Sequence, residues 1–461
     1  MKISKIELSD YQQFKDVVLD LTYPKGHKLE GKPLDKICLI GQSGTGKTTI
    51  LRLIKYFVSR NKSIGQNLFI KIPVKNKIFF HIYQDKLFCR KTVGPDSFIA
   101  DKHTFDKQPI GFDSYISKSE EYESQHKPLL INYPAEVIRG KLINEIQETK
   151  EFKDKKIKDR LDFISTLEPQ KIVDFAVEEI ENIRNFVFKE IKEHRAKELQ
   201  FRINMSDALR KDGTTPEDIT KLNKKFENWL KANPDPLKIL ADECLDPLLN
   251  RFGLKVKTKI DLETILDLGD IQIQTLTGID VDRTFWSTGT RHIVDTVLPI
   301  FELKPKNAIV LLDEPEKSLY PDIQEIIIDF YIKLAPKCQY FFATHSPIIA
   351  SSFDPWEVFH LEYDNENKNV ILYQNYKNER HVDNYNYYPK YLRWDGILMN
   401  VFKLSDEGNS EREKLLLEVA TLKREIDIMI TNKKQNTITF KKKKEKFISL
   451  SNKVGWNESN I

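Results

Sequence analysis

The arrangement of apolar and polar positions along the chain predicts a mixed α/β fold. The opening segment, from Ile3 to Leu21, alternates between apolar and polar residues, as expected for strands with one buried face. Two later runs, Ile37–Ile40 and Ile309–Leu312, are continuously apolar, which is typical of strands in a parallel sheet covered on both faces. A further run, Tyr340–Thr344, predicts another buried strand. Together these runs predict a sheet whose central strands are buried.

Residues 135–253 have a different pattern, because this stretch is highly charged and nearly free of glycine. Its apolar positions follow a helical period, as at Ile172, Phe175, Ala176, Ile180 and Ile183. Prolines such as Pro169 and Pro234 divide the stretch into several helices. We therefore predict a helical domain inserted into the α/β domain, with its interspersed charges on solvated helix faces.

A glycine-rich loop lies between the apolar run Ile37–Ile40 and a helical pattern that continues from Ile50. A buried strand, a glycine-rich turn and a helix start form the context in which proteins bind phosphate groups. The loop consists of Gly41, Gln42, Ser43, Gly44, Thr45, Gly46, Lys47, Thr48 and Thr49. Its glycines let successive N–H groups point at phosphate oxygens, and the helix adds the positive end of its dipole. The alternative, a flexible surface turn, does not explain the apolar strand before the loop.

Two acidic residues at the end of the run Ile309–Leu312 are the predicted partners of that loop. An acid at the end of a central strand lies at the carboxyl edge of the sheet, where α/β folds bind ligands. In this arrangement Lys47 would reach the β- and γ-phosphates, while Thr48 and Asp313 would hold Mg²⁺. Glu314 would polarise the attacking water as general base. The alternative is an Asp-Glu pair that only begins a turn.

Two further polar segments are candidates for the same site. His345 follows the predicted strand Tyr340–Thr344. Because it comes after the Asp-Glu strand in the chain, we predict that it contacts the γ-phosphate. The alternative is a surface or core histidine whose hydrogen bonds are satisfied within the protein. A short polar loop enters a helix before the Asp-Glu strand and consists of Ser287, Thr288, Gly289 and Thr290. A helix start with glycine and hydroxyl groups is a good anion site, and an ordinary helix N-cap is the alternative.

Composition narrows the class of protein. At 461 residues the chain has room for two or three domains, and a net charge of +4 does not by itself indicate a nucleic-acid-binding protein. The cysteines lie far apart and predict reduced thiols instead of disulfides or a zinc site: Cys38, Cys89, Cys244 and Cys338. The chain opens directly on a strand and has no apolar run of membrane-spanning length, so we expect a cytoplasmic protein without a membrane partner.

A lysine-rich run, Lys441–Lys446, lies in the charged helical pattern that follows residue 400. Such a run is usually part of a solvated helix face. The functional alternative is a contact with a phosphate backbone or with an acidic partner. The sequence leaves both interpretations open.

In their order along the chain, these motifs resemble those of ABC-type ATPases of the RecF/SMC/OLD-like branch. The matches are Gly41–Thr49 for the Walker A loop, Ser287–Thr290 for the signature loop, Ile309–Glu314 for Walker B with its catalytic glutamate, and His345 for the switch histidine. The segment Glu314–Pro321 also matches the family stretch Glu-Pro-Glu-x-x-Leu-His-Pro, with Tyr320 in place of the histidine.

The resemblance implies an α/β fold, namely a two-lobed P-loop ATPase with a mixed sheet, an inserted helical domain and a helical C-terminal tail. The predicted domains are an N-terminal ATPase lobe at 1–134, the helical insert at 135–253, a C-terminal ATPase lobe at 254–400 and the charged tail at 401–461.

The resemblance also implies that the chain binds ATP with Mg²⁺ and hydrolyses it to ADP and phosphate. In that family the signature loop of one subunit completes the nucleotide site of another, so we expect a head-to-tail dimer or a higher oligomer.

The size and layout of the chain resemble those of the ATPase subunits of prokaryotic anti-phage systems such as Septu, retrons and PARIS. We therefore expect a switch that senses DNA or a phage protein and controls a separate effector nuclease. Fewer than about 100 residues follow Glu366, so we expect no nuclease domain in this chain.

Two other functions are alternatives. The first is a DNA-repair or chromosome-associated ATPase whose dimer clamps nucleic acid directly, which ATP-dependent DNA binding by the isolated protein would favour. The second is the nucleotide-binding subunit of a transporter. It is disfavoured because the inserted domain is long and because Thr288 and Thr290 stand where transporters have glycine and glutamine.

Overall fold

The structure of the protein is a computed structural model that describes residues 2–59, 77–84, 87–92, 100–103, 130–135, 172–175, 180–210, 215–259, 271–373, 375–404 and 410–455. The chain divides into two compact units, Met1–Trp394 and Asp395–Ile461. Within the described ranges, no helix is both long enough and apolar enough to cross a membrane.

The secondary structure of the first unit alternates between strands and helices. Its strands are β1 (Lys2–Tyr11), β2 (Phe14–Asp20), β3 (Lys36–Gly41), β4 (Lys77–Gln84), β5 (Leu87–Thr92), β6 (Ala100–His103), β7 (Leu130–Tyr133), β8 (Ile172–Asp174), β9 (Leu254–Val256), β10 (Ile273–Thr275), β11 (Asp280–Val281), β12 (Ile309–Asp313), β13 (Gln339–Ala343), β14 (Val358–Asp364) and β15 (Asn369–Tyr373). Its helices are α1 (Lys47–Ser59), α2 (Ile180–Arg210), α3 (Pro216–Ala232), α4 (Pro236–Ile239), α5 (Asp246–Leu249), α6 (Thr288–Leu303), α7 (Pro321–Leu334) and α8 (Pro347–Ala350), with a π-helix at Leu240–Leu245.

The strands form one large mixed sheet in the order β6-β5-β4-β1-β2-β15-β14-β3-β13-β12-β7-β8, and β9 to β11 form a separate small sheet. The strands from β14 to β8 run parallel to one another. The strands from β6 to β2 pair antiparallel. Strand β15 joins the two regions, antiparallel to β14 and in a parallel bridge to β2 through Val370 and Phe14. The predicted α/β fold with a mixed sheet is confirmed.

The centre of the parallel region places three loops at one edge of the sheet. Strands β3, β13 and β12 are adjacent, and Ala343 pairs with both Leu39 and Asp313. Their apolar residues are fully buried, as the continuous apolar runs predict. Because parallel strands share a direction, the segments that follow Gly41, Asp313 and Ala343 all leave the sheet at its carboxyl edge.

The region predicted to be a helical insert is helical over most of its described residues. Helix α3 begins with Pro216 at its first position, and Thr215 and Asp218 form a capping box there. It packs on α2 through the rings of Phe201 and Trp229, whose centroids lie 5.5 Å apart. The helical prediction was wrong at Ile172, because Ile172–Asp174 is a strand that pairs with β7 at the end of the sheet. The predicted start of the insert, at 136–171, lies outside the described residues.

The second unit contains α9 (Trp394–Asn400), α10 (Ser410–Thr431) and α11 (Ile438–Val454). Helices α10 and α11 form an antiparallel hairpin whose core includes Val419, Leu422, Ile426 and Phe447. Two ion pairs connect the helices across this core: Lys443 with Glu425 at 2.9 Å, and Lys446 with Glu418 at 2.6 Å. The charged C-terminal segment is therefore a packed helical hairpin.

Candidate functional site

The loop between β3 and α1 has glycines where a side chain would not fit. Gly41 and Gly46 both have positive φ angles, +144° and +92°. A Cβ atom at Gly41 would overlap the carbonyl oxygen of Leu361, and one at Gly46 would overlap the ring of Phe14. The buried hydroxyl of Thr45 donates to the carbonyl oxygen of Gln42 over 2.8 Å and closes the loop. Sterics therefore require glycine at both positions.

Lys47 is the first residue of α1 and is buried beneath the loop. Its ammonium group donates to the carbonyl oxygens of Gly41 and Gln42 over 2.8 and 3.0 Å. Burial lowers the pKa of Lys47 to about 8, and the nearby carboxylates of Asp313 and Glu314 oppose that shift. The loop thus contains a cation held at its centre by backbone carbonyls.

Thr48 and Asp313 are brought together at the carboxyl edge of the sheet. The hydroxyl of Thr48 donates to Oδ2 of Asp313 over 2.8 Å. Burial raises the pKa of Asp313, and the hydrogen bond from Thr48 opposes this shift. A hydroxyl and a carboxylate are hard oxygen ligands, so the pair fits a Mg²⁺ ion.

Glu314 begins the loop that follows β12, which we call the post-strand loop (Glu314–Ser318). Its φ angle is +53°, an uncommon conformation for a non-glycine residue, and its N–H donates to the carbonyl oxygen of Ala343 over 2.8 Å. Its carboxylate is near enough to affect the pKa values of both Lys47 and His345. The three side chains are therefore near enough to one another to interact electrostatically.

His345 follows β13 and is exposed. Partial desolvation of the ring and the positive charge of Lys47 lower the pKa of the imidazole, while Glu314 opposes the shift. The imidazole is therefore mainly neutral at pH 7 and keeps one N–H donor. Its backbone N–H donates to Oε1 of Glu316 over 2.9 Å.

The segment Ser287–Thr290 forms the start of α6. Ser287 is the helix N-cap, and its Oγ accepts a hydrogen bond from the N–H of Thr290 over 3.0 Å. A Cβ atom at Gly289 would lie 2.6 Å from the carbonyl oxygen of Ser318, so the post-strand loop packs directly on this glycine. In the described part of one chain, no hydrogen bond connects this segment with Gly41–Thr49.

Two residues at the site had no predicted role. The amide Nε2 of Gln13, in the turn between β1 and β2, donates to the carbonyl oxygen of Gly44 over 2.8 Å. The carboxylate of Glu316 holds the segment that contains His345. Glu316 lies in the Glu-Pro-Glu stretch, which was the available signal, whereas no motif pointed to Gln13.

Comparisons with known proteins find one matching family and several similar proteins. A family model described as "AAA domain, putative AbiEii toxin, Type IV TA system" matches residues 36–351, which include every predicted site residue. A curated relative, "Retron Ec83 probable ATPase" of Escherichia coli, is 22% identical over 415 aligned positions, and the match covers 78% of this chain and 72% of the relative.

Solved structures of SMC head domains are also similar. The SMC head domain from Thermotoga maritima is 10% identical, with a TM-score of 0.38 over 81% of this chain and 99% of its own. An Smc head bound to the C-terminal domain of ScpA, derived from Pyrococcus furiosus, is 12% identical, with a TM-score of 0.39 over 81% and 96% of the two chains.

Proposed function

Because the chain belongs to the "AAA domain, putative AbiEii toxin, Type IV TA system" family, we propose that it is an ATP-driven dimerising switch that controls a separate effector. The observation that supports this most directly is the 2.8 Å hydrogen bond between Thr48 and Asp313. It joins the phosphate-binding loop to the acidic strand end, beside the buried ammonium group of Lys47.

The residues of the loop fit a nucleoside triphosphate. The glycine backbone would surround the phosphate oxygens, and the helix α1 directs the positive end of its dipole at them. Lys47 would exchange its two carbonyl partners for the β- and γ-phosphates. Thr48 and Asp313 would hold Mg²⁺, whose charge offsets that of the phosphates.

Glu314 and His345 are the proposed hydrolytic residues. The carboxylate of Glu314 would accept a proton from the attacking water as general base. The neutral imidazole of His345 would donate its N–H to the γ-phosphate. The charges of Glu314 and Lys47 both act on His345, and that of Glu314 acts on Lys47, which supports these assignments.

The proposed dimer brings Ser287, Gly289 and Thr290 of one copy to the nucleotide held by the other. Ser287 lies on the surface at the positive end of the helix Thr288–Leu303, which supports an anion contact from a second molecule. The motif order of ABC-type ATPases supports the same arrangement. Because each ATP would contact both copies, ATP binding would stabilise the association of two copies.

The name of the Escherichia coli relative places that ATPase with a retron. This supports an anti-phage setting in which the dimer gates an effector nuclease on another chain, with DNA or a phage protein as trigger. Co-purification from the native operon, followed by mass spectrometry of the bound proteins, identifies the effector. Recovery of the ATPase with no effector, in every nucleotide state, would contradict the gating part of the proposal.

The dimerising switch is tested with Glu314→Gln, which keeps the size of the side chain but removes the base. We expect the variant to bind ATP, to hydrolyse it at least about 100-fold more slowly and to persist as a dimer in light scattering. Glu325→Gln, at an exposed position on α7, is the matched control and should behave as wild type. A wild-type rate in Glu314→Gln would show that the general-base assignment is wrong.

A second candidate function is direct clamping of nucleic acid, which the hairpin of α10 and α11 favours. From Ile428 to Gly455 the chain has eight lysines and one acidic residue, Glu445. Lys443 and Lys446 pair with glutamates of α10, whereas Lys441, Lys442 and Lys444 are exposed and have no ion-pair partner within the described ranges. Exposed lysines of this kind contact phosphate backbones without sequence preference.

A further inference from the structure

Glu316 has its side chain directed into the protein, towards the end of β13. One oxygen, Oε1, accepts two hydrogen bonds: from the hydroxyl of Thr344 over 2.7 Å and from the N–H of His345 over 2.9 Å. The other oxygen, Oε2, is buried and has no hydrogen-bond partner among the described residues. A buried carboxylate oxygen without a partner costs stability, so the two hydrogen bonds of Oε1 are what hold this side chain in place.

The backbone N–H of His345 is held by Glu316, while its neighbours on either side have other partners. The N–H of Thr344 donates to Leu39 over 3.0 Å, and the N–H of Ser346 donates to the Thr344 hydroxyl over 2.9 Å. Between these anchors, the backbone of His345 is fixed by Glu316. The imidazole itself has no hydrogen bond within the described ranges and is exposed. Its position is therefore set through its own backbone.

We propose that Glu316 is a positioning residue, which fixes the backbone at His345 and thereby places the imidazole beside Lys47 and Glu314. This inference rests on the proposed function, since the imidazole matters only if the site hydrolyses a nucleotide. The hydrogen bonds of Glu316 go to Thr344 and His345, so its proposed effect on hydrolysis runs through the histidine. Its charge also opposes the lowering of the Lys47 pKa, as the charges of Asp313 and Glu314 do.

The same post-strand loop touches the start of α6 on its other side. The ring nitrogen Nε2 of His292 donates to the carbonyl oxygen of Pro315 over 3.1 Å, and Ser318 packs on Gly289. Glu316 lies between these contacts in the chain. The post-strand loop therefore contacts both the start of α6 and, through Glu316, the segment that contains His345.

The test compares Glu316→Ala, Glu316→Gln and Thr344→Val in steady-state ATP hydrolysis, with Glu325→Ala as control. We expect Glu316→Ala to lower kcat about 10- to 100-fold with KM within about twofold of wild type, because the imidazole is misplaced while the nucleotide contacts remain. Glutamine keeps an acceptor oxygen, so Glu316→Gln should recover most of the loss. Thr344→Val removes one donor and should lower kcat about threefold to tenfold.

The decisive measurement is kcat of the double variant Glu316→Ala/His345→Ala. If Glu316 acts through the histidine, the double variant has the same kcat as His345→Ala alone. Multiplicative losses, or an unchanged kcat in Glu316→Ala, would overturn the inference. If Glu316→Ala does not fold, Glu316→Asp and Glu316→Asp/His345→Ala provide the same comparison, because the shorter side chain keeps the charge but shortens the reach towards the N–H of His345. ATP hydrolysis that survives Lys47→Ala would instead reject the proposed function itself.

Discussion

The hydroxyl of Thr48 lies 2.8 Å from the carboxylate of Asp313, although 265 positions separate the two residues in the chain. Thr48 lies in the first turn of α1, which follows β3, and Asp313 ends β12. The contact forms because β3 and β12 are separated in the sheet by the single strand β13. The hydrogen bond holds two hard oxygen atoms at one point, which is what the proposed Mg²⁺ site requires. The proposed nucleotide chemistry depends on this contact.

Lys47→Ala should weaken ATP binding about 100-fold or more, because a charged donor to the phosphates is lost in a buried setting. Isothermal titration calorimetry measures the affinity, and thermal melting checks the fold. Lys337→Ala, at an exposed position outside the site, is the matched control and should bind as wild type. Retention of wild-type affinity in Lys47→Ala would reject the loop as the phosphate site.

Nucleotide binding should take up protons near pH 8. In the free protein the pKa of Lys47 is about 8, so about half of the molecules have a neutral amine at that pH. A bound triphosphate favours the ammonium form and raises the pKa, so binding takes up about half a proton at pH 8 and almost none near pH 6. Because binding takes up a proton in this range, the affinity for ATP should fall as the pH rises above 8.

Calorimetry at pH 8 in buffers of different ionisation enthalpy measures this proton uptake. Lys47→Arg is the control, since a guanidinium stays protonated throughout and should bind without taking up a proton. Equal apparent enthalpies for the wild type in all buffers would show that Lys47 does not titrate on binding.

The parts of the site that sequence could predict are those fixed by local chemistry. Positive φ angles and close contacts require glycine at Gly41 and Gly46. The spacing of glycines in the sequence is therefore enough to predict this loop. The contacts of Gln13 and Glu316 depend instead on how distant segments pack. Gln13 reaches Gly44 only because the β1–β2 turn lies over the loop, and nothing in a polar turn residue signals this.

The same limit explains the error at Ile172. The apolar residues that begin at Ile172 match a helical period, but a short apolar run is equally compatible with a strand. Pairing of Ile172–Asp174 with β7 decides the outcome, and that pairing is a tertiary contact. By contrast, Thr215 and Asp218 form a capping box within one turn, so the start of α3 was predictable from sequence.

Gly289→Ala should separate nucleotide binding from hydrolysis. The new Cβ atom would lie 2.6 Å from the backbone oxygen of Ser318, so the α6 start or the post-strand loop must shift. We expect a loss of roughly 1–3 kcal/mol in the free energy of unfolding, loss of ATP-dependent dimerisation and slow hydrolysis. ATP affinity of the single chain should stay within about twofold, because Lys47 and Thr48 are untouched. A variant that dimerises normally would contradict a role of this segment in association.

Charge reversal on the hairpin distinguishes the switch from the nucleic-acid clamp. If α11 contacts a phosphate backbone, Lys441→Glu/Lys442→Glu/Lys444→Glu should weaken binding of duplex DNA and lower the slope of log K against log salt by about 3, since each lost phosphate contact removes about 0.9. Fluorescence anisotropy between about 50 and 200 mM salt measures this slope. Lys414→Glu/Lys453→Glu is the control, because these exposed lysines lie away from the connection between α10 and α11. An unchanged slope in the triple variant would mean that these lysines form only a solvated face. DNA that binds with the full slope only in the presence of ATP would instead favour a clamp formed by the dimer.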